Sequence, residues 1–395
     1  MDLRYGEDYE RFRQELRSFL ADWPLKGEEA ALPAAEQEAL FRRRAIERGY
    51  VYRHFPAEYG GGGKAPDVLI DAIVQEEFAA ADTPGEAWWG PGPSMIAPTL
   101  LEVGTEAQKR RFIGPSLRGE IRWCQGYSEP GAGSDLAALT SRAELEGDEW
   151  VIDGHKIWTS SAHEADFLFG LFRTEPDTPR HGGLSYLLVD LHQPGVTIEP
   201  IREMTGACHF NEVRFEGARA PADALVGGRG EGWRVANVTL RHERAMLSDA
   251  GALDQLFRSL CDLARRRGRS ADPSVRRRLA ALEGELMSHA WTGRRRLSAV
   301  AKGREAEVAR PTLMLKVCGV TLREKMVALA LDLLGGTAAL EPDQTLYKNT
   351  PDNDREWIAA TLRALAYSIG GGTGNIQLNV IGERGYGLPR DLRRQ

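Results

Sequence analysis

The sequence predicts an α+β protein in three successive blocks: helical, then β, then helical. Two observations carry this. Apolar residues recur at helical spacing up to about residue 120 and again from Gly232 almost to Gly370. Between those stretches the chain breaks into short runs of β-formers punctuated by Gly, Pro and Asp, a block of roughly 110 residues that suits a small barrel or sandwich. The blocks set domains at residues 1–120, 121–231 and 232–395.

In the first block Phe12, Leu16, Phe19 and Leu20 follow Tyr9 at helical spacing, with Asp8 placed to cap the helix. Further helices are predicted over residues 34–48, 68–81 and 105–113, the last opening on a Thr105 cap. In the middle block, strands are predicted at residues 149–152, 155–159, 167–172, 184–189, 196–201 and 212–215. Asp153-Gly154, between the first two, reads as a two-residue hairpin turn. The last block is helical, with breaks near residues 268–273, 303–311 and 340–351.

Bulk properties describe a globular chain large enough to bury a substantial core. Of its 395 residues 42% are hydrophobic and 27% charged, and a net charge of −6 argues against nucleic acid as a partner. No apolar run approaches the about 18 residues that span a bilayer, and the acidic start of the chain lacks the apolar segment of a signal peptide. Cys124, Cys208, Cys261 and Cys318 are widely spaced, which predicts buried thiols in a reducing cytoplasm and no metal site. The arginine triplets at 265–267, 276–278 and 294–296 read either as a phosphate-binding surface or, for most of them, as solvated helix faces interleaved with Asp262, Asp272, Glu283 and Glu285.

The segment Ser128-Glu129-Pro130-Gly131-Ala132-Gly133-Ser134-Asp135 has little bulk to pack in a core. Its Pro and Gly residues set sharp turns, and its Ser and Asp residues offer short polar groups beside exposed amides. Such a loop suits close backbone approach to a phosphate-bearing ligand. Lys156-Ile157-Trp158-Thr159-Ser160-Ser161 sets a flat aromatic beside hydroxyls, a face and donors for a planar heteroaromatic ring. Together the two segments resemble the flavin-binding strands of the acyl-CoA dehydrogenase family. Three more segments resemble that family in its own order: His54-Phe55-Pro56-Ala57-Glu58-Tyr59-Gly60-Gly61, Ile369-Gly370-Gly371-Gly372-Thr373-Gly374-Asn375-Ile376-Gln377, and Glu383-Arg384-Gly385-Tyr386-Gly387-Leu388-Pro389-Arg390.

The resemblance implies an FAD-dependent enzyme with an N-terminal helical domain, a middle β-barrel or sandwich and a C-terminal helical bundle. It would oxidise an acyl-CoA, or acyl-carrier-protein, thioester to the trans-2-enoyl thioester. It implies that Ser128 hydrogen-bonds the flavin ring, that Ser134 lies near the pyrophosphate and the thioester, and that Trp158, Thr159 and Ser160 pack the ring. Gln125, Tyr127 and Gly133 complete that wall, with Tyr127 bulkier than the aliphatic residue frequent in the family. Thr373 and Asn375 would reach the flavin from the C-terminal loop. Family habits also imply an electron-transfer flavoprotein as acceptor and a homodimer or homotetramer in the cytoplasm.

The chemistry needs a base on the substrate face opposite the flavin and donors for the developing enolate oxygen. Many family members draw that base from a Glu before the Gly-Thr pair of the C-terminal loop, where this chain has Gly371. Glycine cannot accept the proton, but its N–H can donate to the thioester oxygen and its missing side chain leaves room for a carboxylate from elsewhere. Glu243, in Leu240-Arg241-His242-Glu243-Arg244, stands where some relatives place a catalytic Glu just before an Arg, and Arg244 joins the substrate residues. A lone helix Glu between Arg241 and Arg244 would otherwise be a weak surface pair. His242 points about 100° away on a helix and receives no role.

Two further departures bear on assembly. Asp332-Leu333-Leu334-Gly335-Gly336 has Asp where the family commonly has a Gln that serves the neighbouring subunit's flavin, and Asp272-Pro273-Ser274-Val275-Arg276 replaces an Arg-x-x-Phe-Gly signature. Both patterns keep a heteromer open. Trp88-Trp89-Gly90 is a candidate for the acyl end, or an ordinary buried aromatic pair. Two alternatives stand beside the dehydrogenase: a flavin-dependent oxidase or monooxygenase on the same fold, and a non-catalytic subunit of a heteromeric enzyme.

Overall fold

The computed structural model describes residues 6–81, 83, 90–178, 180–246, 250–344 and 350–389. The chain forms two units, one of Met1–Ile201 with His209–Glu243 and the other of Arg202–Cys208 with Arg244–Gln395.

In the first unit, helices α1 (Glu7–Leu20), α2 (Ala34–Glu47), α3 (Val68–Ala80), α4 (Ala97–Val103) and α5 (Glu106–Arg118) precede the sheet. The apolar stripe of α1 buries Leu16, Phe19 and Leu20, and Phe19 stacks on Phe41 of α2 with ring centroids 5.0 Å apart. The expected Asp8 cap is not formed: Gly6 is the N-cap, without a side-chain hydrogen bond, and Asp8 lies in the first turn with Glu7 and Glu10, where carboxylates complement the helix dipole. Thr105 does cap α5, in a full capping box with Gln108, and the helix runs five residues past the expected end to a left-handed Gly119. The glycine turn before α3 is tight. A Cβ on Gly61 would sit 2.3 Å from Phe55, so the turn closes only with glycine there.

The sheet contains β1 (Trp123–Gly126), β2 (Arg142–Glu146), β3 (Glu149–Ser160), β4 (Phe167–Arg173), β5 (Leu184–Asp190), β6 (Val196–Ile201), β7 (Phe210–Pro221) and β8 (Leu225–Val226). They pair in the order β6-β7-β3-β2-β4-β5-β8, with β1 parallel to β4. Along β4 and β5, Phe169, Leu171, Tyr186 and Leu188 join the core shared with the N-terminal helices. Leu168, Phe172, Leu187 and Val189 join a second core with Trp150 and Phe215. This two-faced burial explains the nearly continuous apolar sequence of both strands.

Three sequence expectations are corrected here. Asp153-Gly154 is not a hairpin turn, because β3 runs through it, paired with β2 on one side and β7 on the other. A register shift at Ile152/Asp153 absorbs the irregularity, and Gly154 is required by closeness, since a Cβ there would meet Ser141 Oγ at 2.1 Å. The turn lies instead between Glu146 and Glu149, with Gly147 left-handed. Strands β1, β2 and β8 were not anticipated. Of the four cysteines only Cys124 is buried; Cys208 and Cys318 are exposed and Cys261 is intermediate.

The first unit ends in α6 (Gly232–Met246). In the second unit α7 (Ala250–Arg266), α8 (Pro273–Val300), α9 (Ala309–Leu334) and α10 (Asp354–Tyr367) pack around Leu256, Leu260, Leu282, Leu322, Met326 and Trp357. The short α11 (Gly374–Val380) follows the glycine loop. The breaks between these helices fall where Gly and Pro place them, and Asp272 caps α8 with Pro273 in its first turn. Among the described residues no helix is long and apolar enough to cross a membrane.

Candidate active site

Two segments far apart in sequence are fastened together in the first unit. Glu129 and Ala132 exchange backbone hydrogen bonds of 2.9 and 3.0 Å, closing the Glu129–Ala132 turn, while Ile157 N donates to Ser128 O at 2.9 Å. Beneath them lies a buried ion pair. Lys156, with no exposed surface, donates through Nζ to Glu129 Oε1 at 2.8 Å and to the Leu171 carbonyl at 2.7 Å. Glu129 also accepts from Ser141 N, Thr140 N and Thr140 Oγ1, at 2.9, 2.6 and 3.0 Å. Burial pushes the Glu129 carboxyl up, but Lys156 and the donors of Ser141 and Thr140 outweigh it and hold the group down at about 2. No motif assigns either residue a role; the one signal in the sequence is a lysine inside a strand of mostly buried or half-buried residues.

A second register shift, between Lys156 and Thr159, reshapes the end of β3. Lys156 and Thr159 are both buried although three residues apart, and Trp158 between them turns outward with φ +59° and 57% of its surface exposed. A tryptophan in the left-handed region is uncommon and costs on the order of 1–3 kcal/mol. Hydrophobic packing within the unit does not account for it, because the indole leaves the core and touches Phe210 only edge-on, with centroids 5.9 Å apart. The arrangement displays an aromatic face.

Nearby, Gln125 Nε2 on β1 and Thr159 Oγ1 on β3 are buried atoms without a hydrogen-bond partner among the described residues. Such groups cost about 1–3 kcal/mol each when left unmade, so a polar ligand that reaches them gains that much. Tyr127 is buried, edge-on to Phe169 and Tyr186. Ser128 is half-buried, whereas Gly133 and Ser134 are exposed. A Cβ added to Gly131 or Gly133 would meet nothing within 4 Å, and neither has a positive φ. Nothing in the packing of the described residues calls for glycine there, whereas a ligand lying against the backbone would. Ser160 is half-buried at the strand end. These residues fit FAD: a planar face at Trp158, unsatisfied polar atoms beside it and a bare backbone loop for phosphate.

In the second unit, Gly371 (φ +64°) and Gly372 (φ +92°) form the loop after α10, and Thr373 caps α11 by accepting from Ile376 N at 3.4 Å. Gly371 and Asn375 are exposed and Thr373 is half-buried. Asp332, which stands where the family commonly has a Gln, is paired with Arg278 at 2.5 Å, which offsets its charge. Glu243 and Arg244 lie on α6, but their side chains are outside the described residues, as are Trp88 and Trp89. His242, beside Glu243, is partly buried with Nε2 lacking a partner among the described residues; burial foremost, then Arg241, pulls its pKa down.

Comparison with known proteins agrees with this geometry. Residues 6–120, 124–218 and 230–386 match the family models for the acyl-CoA dehydrogenase N-terminal, middle and C-terminal domains. The chain is 41% identical to "Acyl-CoA dehydrogenase IpdE1" of Mycobacterium tuberculosis over 98% of this chain and 100% of that one. It is 34% identical to "Acyl-CoA dehydrogenase FadE34" of the same organism, over 92% of this chain and 47% of that one. Among solved structures it is similar to the "Tcur3481-Tcur3483 steroid ACAD", with a TM-score of 0.80, 28% identity and coverage of 99% and 100%. It is also similar to the ChsE4-ChsE5 complex of Mycobacterium tuberculosis, with a TM-score of 0.78, 28% identity and the same coverage. With all three domain models in order and a full-length relative at this identity, the chain belongs to the acyl-CoA dehydrogenase family of FAD-dependent oxidoreductases.

Proposed function

We propose that this enzyme converts an acyl-CoA thioester to its trans-2-enoyl thioester, with Glu243 as the base that removes the α-proton. The observation that carries the reading is glycine at 371, in the exposed loop where many relatives hold the base, together with a Glu-Arg pair on α6. FAD bound at the Trp158 face supplies the acceptor for the two electrons and the β-hydrogen. The residues of the chain do the rest. Gln125, Tyr127, Ser128, Trp158, Thr159 and Ser160 hold and orient the ring, and Gly133 and Ser134 receive the phosphates. Thr373 and Asn375 are assigned to the same cofactor from the C-terminal loop. Ser134, Arg244 and the Gly371 N–H receive the thioester.

The substrate in this reading is bulky, with a polycyclic or branched acyl group. Gly371 leaves room for it, and a similar solved structure is named a steroid ACAD. The electron acceptor in this reading is an electron-transfer flavoprotein. A second reading of the assembly is an unlike pair of subunits, favoured by Asp332 in place of the family's Gln and by similarity to the Tcur3481-Tcur3483 and ChsE4-ChsE5 proteins, each named for two different chains.

The test is stopped-flow flavin reduction in Glu243→Gln. The substitution keeps the size of the side chain and removes the proton acceptor, so flavin content should stay intact while reduction by the best acyl-CoA falls by about a hundredfold or more. A rate within a few-fold of the parent would exclude Glu243 as the base.

A further inference from the structure

The glycine loop of the second unit is held by its carbonyls. Lys316, on α9, donates through Nζ to the carbonyl oxygen of Gly370 and to that of Gly372, the latter at 2.5 Å. Gln377 Nε2, on α11, donates to the Gly371 carbonyl at 3.1 Å. Three successive carbonyls are therefore engaged by two side chains. This is not a helix cap. Helix α10 ends at Tyr367, and the Ala366 carbonyl is already satisfied by Ile369 N and Gly370 N.

The consequence follows from peptide geometry. In a trans peptide the C=O of one residue and the N–H of the next point in opposite directions. Anchoring the Gly370 carbonyl on Lys316 turns the Gly371 N–H away from Lys316, and anchoring Gly372 does the same for the Thr373 N–H. Among the described residues, neither amide donates to a protein acceptor. A single neutral donor could fix one carbonyl. An ammonium carries three donors, holds both, and by its charge polarises both peptide units so that their N–H ends become stronger donors. A loop built of glycines has no side chain to offer a substrate, so its amide directions are what it contributes.

We propose that Lys316 is a positioning residue: it aims and polarises the Gly371 N–H toward the thioester oxygen, where negative charge builds as the α-proton leaves. This rests on the reading of residues 370–373 as the substrate loop, and is independent of which residue is the base. No other loop carbonyl arrangement is required of it.

The experiment uses the FAD-loaded protein and cinnamoyl-CoA labelled with ¹³C at the thioester carbonyl, a bulky enoyl thioester that does not turn over. Isotope-edited infrared spectra read the carbonyl stretch directly. In the parent the stretch should lie below its value in water. Lys316→Met should return it at least halfway, and Lys316→Arg should keep most of the shift, all with unchanged flavin content. The rate of flavin reduction by the best acyl-CoA should fall about tenfold in Lys316→Met, with KM moving less than threefold. Should Lys316→Met fail to fold, Lys316→Gln, which keeps donors and loses the charge, is expected to lose most of the shift. A carbonyl stretch and rate in Lys316→Met, or in Lys316→Gln, that match the parent would overturn the proposal. If the parent itself fails to shift the stretch, or fails to bind the probe at millimolar concentration, the substrate-loop reading falls and takes the proposal with it.

Discussion

Removing the Lys156 amine should test whether the buried pair holds the Glu129 loop and the Trp158 strand end together. In Lys156→Met the strand keeps its packing volume, but Glu129 loses its countercharge in a place where it is only 7% exposed. Three donors from Thr140 and Ser141 remain on the carboxylate, and the Leu171 carbonyl loses its Lys156 donor. Breaking a buried pair from one side typically costs about 3–5 kcal/mol. The Lys156→Met/Glu129→Gln double variant removes both charges and should recover much of that loss, since an apolar or neutral replacement of a buried pair is often close to neutral. The assay is chemical unfolding at pH 7, followed by flavin release and by tryptophan fluorescence separately, because a chain of two units need not unfold in one step. If Lys156→Met unfolds within about 1 kcal/mol of the parent, or the double variant is no more stable than the single, the pair does not clamp the two segments.

Acidification gives an independent reading of the same pair. The Glu129 carboxyl sits at about 2 against an ordinary 4.5, so the folded state binds fewer protons between those values. Its stabilisation, about 3 kcal/mol, is fully present above pH 4.5 and lost as the pH falls toward 2; Glu129→Gln should flatten that part of the acid-unfolding curve. Trp158→Ala should leave the fold intact, because the indole is outside the core, yet weaken FAD retention at least tenfold by equilibrium dialysis. Gly154→Ala should destabilise the first unit by about 1–3 kcal/mol in thermal melts, since the new methyl meets Ser141 Oγ at 2.1 Å.

Long periodic segments were legible because burial of one helix face leaves a signal every three to four residues, as in Leu16, Phe19 and Leu20 of α1. The Ser128–Asp135 loop stood out because a bare Gly-Ser segment has little structural use in a core, and the structure leaves Gly131, Gly133 and Ser134 exposed. Asp153-Gly154 misled because a local turn propensity of this kind is weak beside ladder pairing on both sides, and the competing Gly147-Asp148 pair carries the same composition. The Glu129–Lys156 pair spans 27 residues and the Lys316 anchor spans more than 50. No spacing rule connects such partners; only the packing of β3 beneath its loop, and of α9 beside the glycine turn, brings them together. The capping of Asp332 by Arg278 was hidden for the same reason.

The outward indole of Trp158 also makes the protein its own optical instrument. Of nine tryptophans, Trp123, Trp150 and Trp357 are sealed in cores where no aqueous quencher reaches them. Trp158, like the exposed Trp291, should emit from water at longer wavelength, and a flavin that settles on the Trp158 face should extinguish its share of that red-edge emission through contact and energy transfer. Loading could then be followed in real time without a label, as a change in the colour of emitted light rather than in the rate of a reaction.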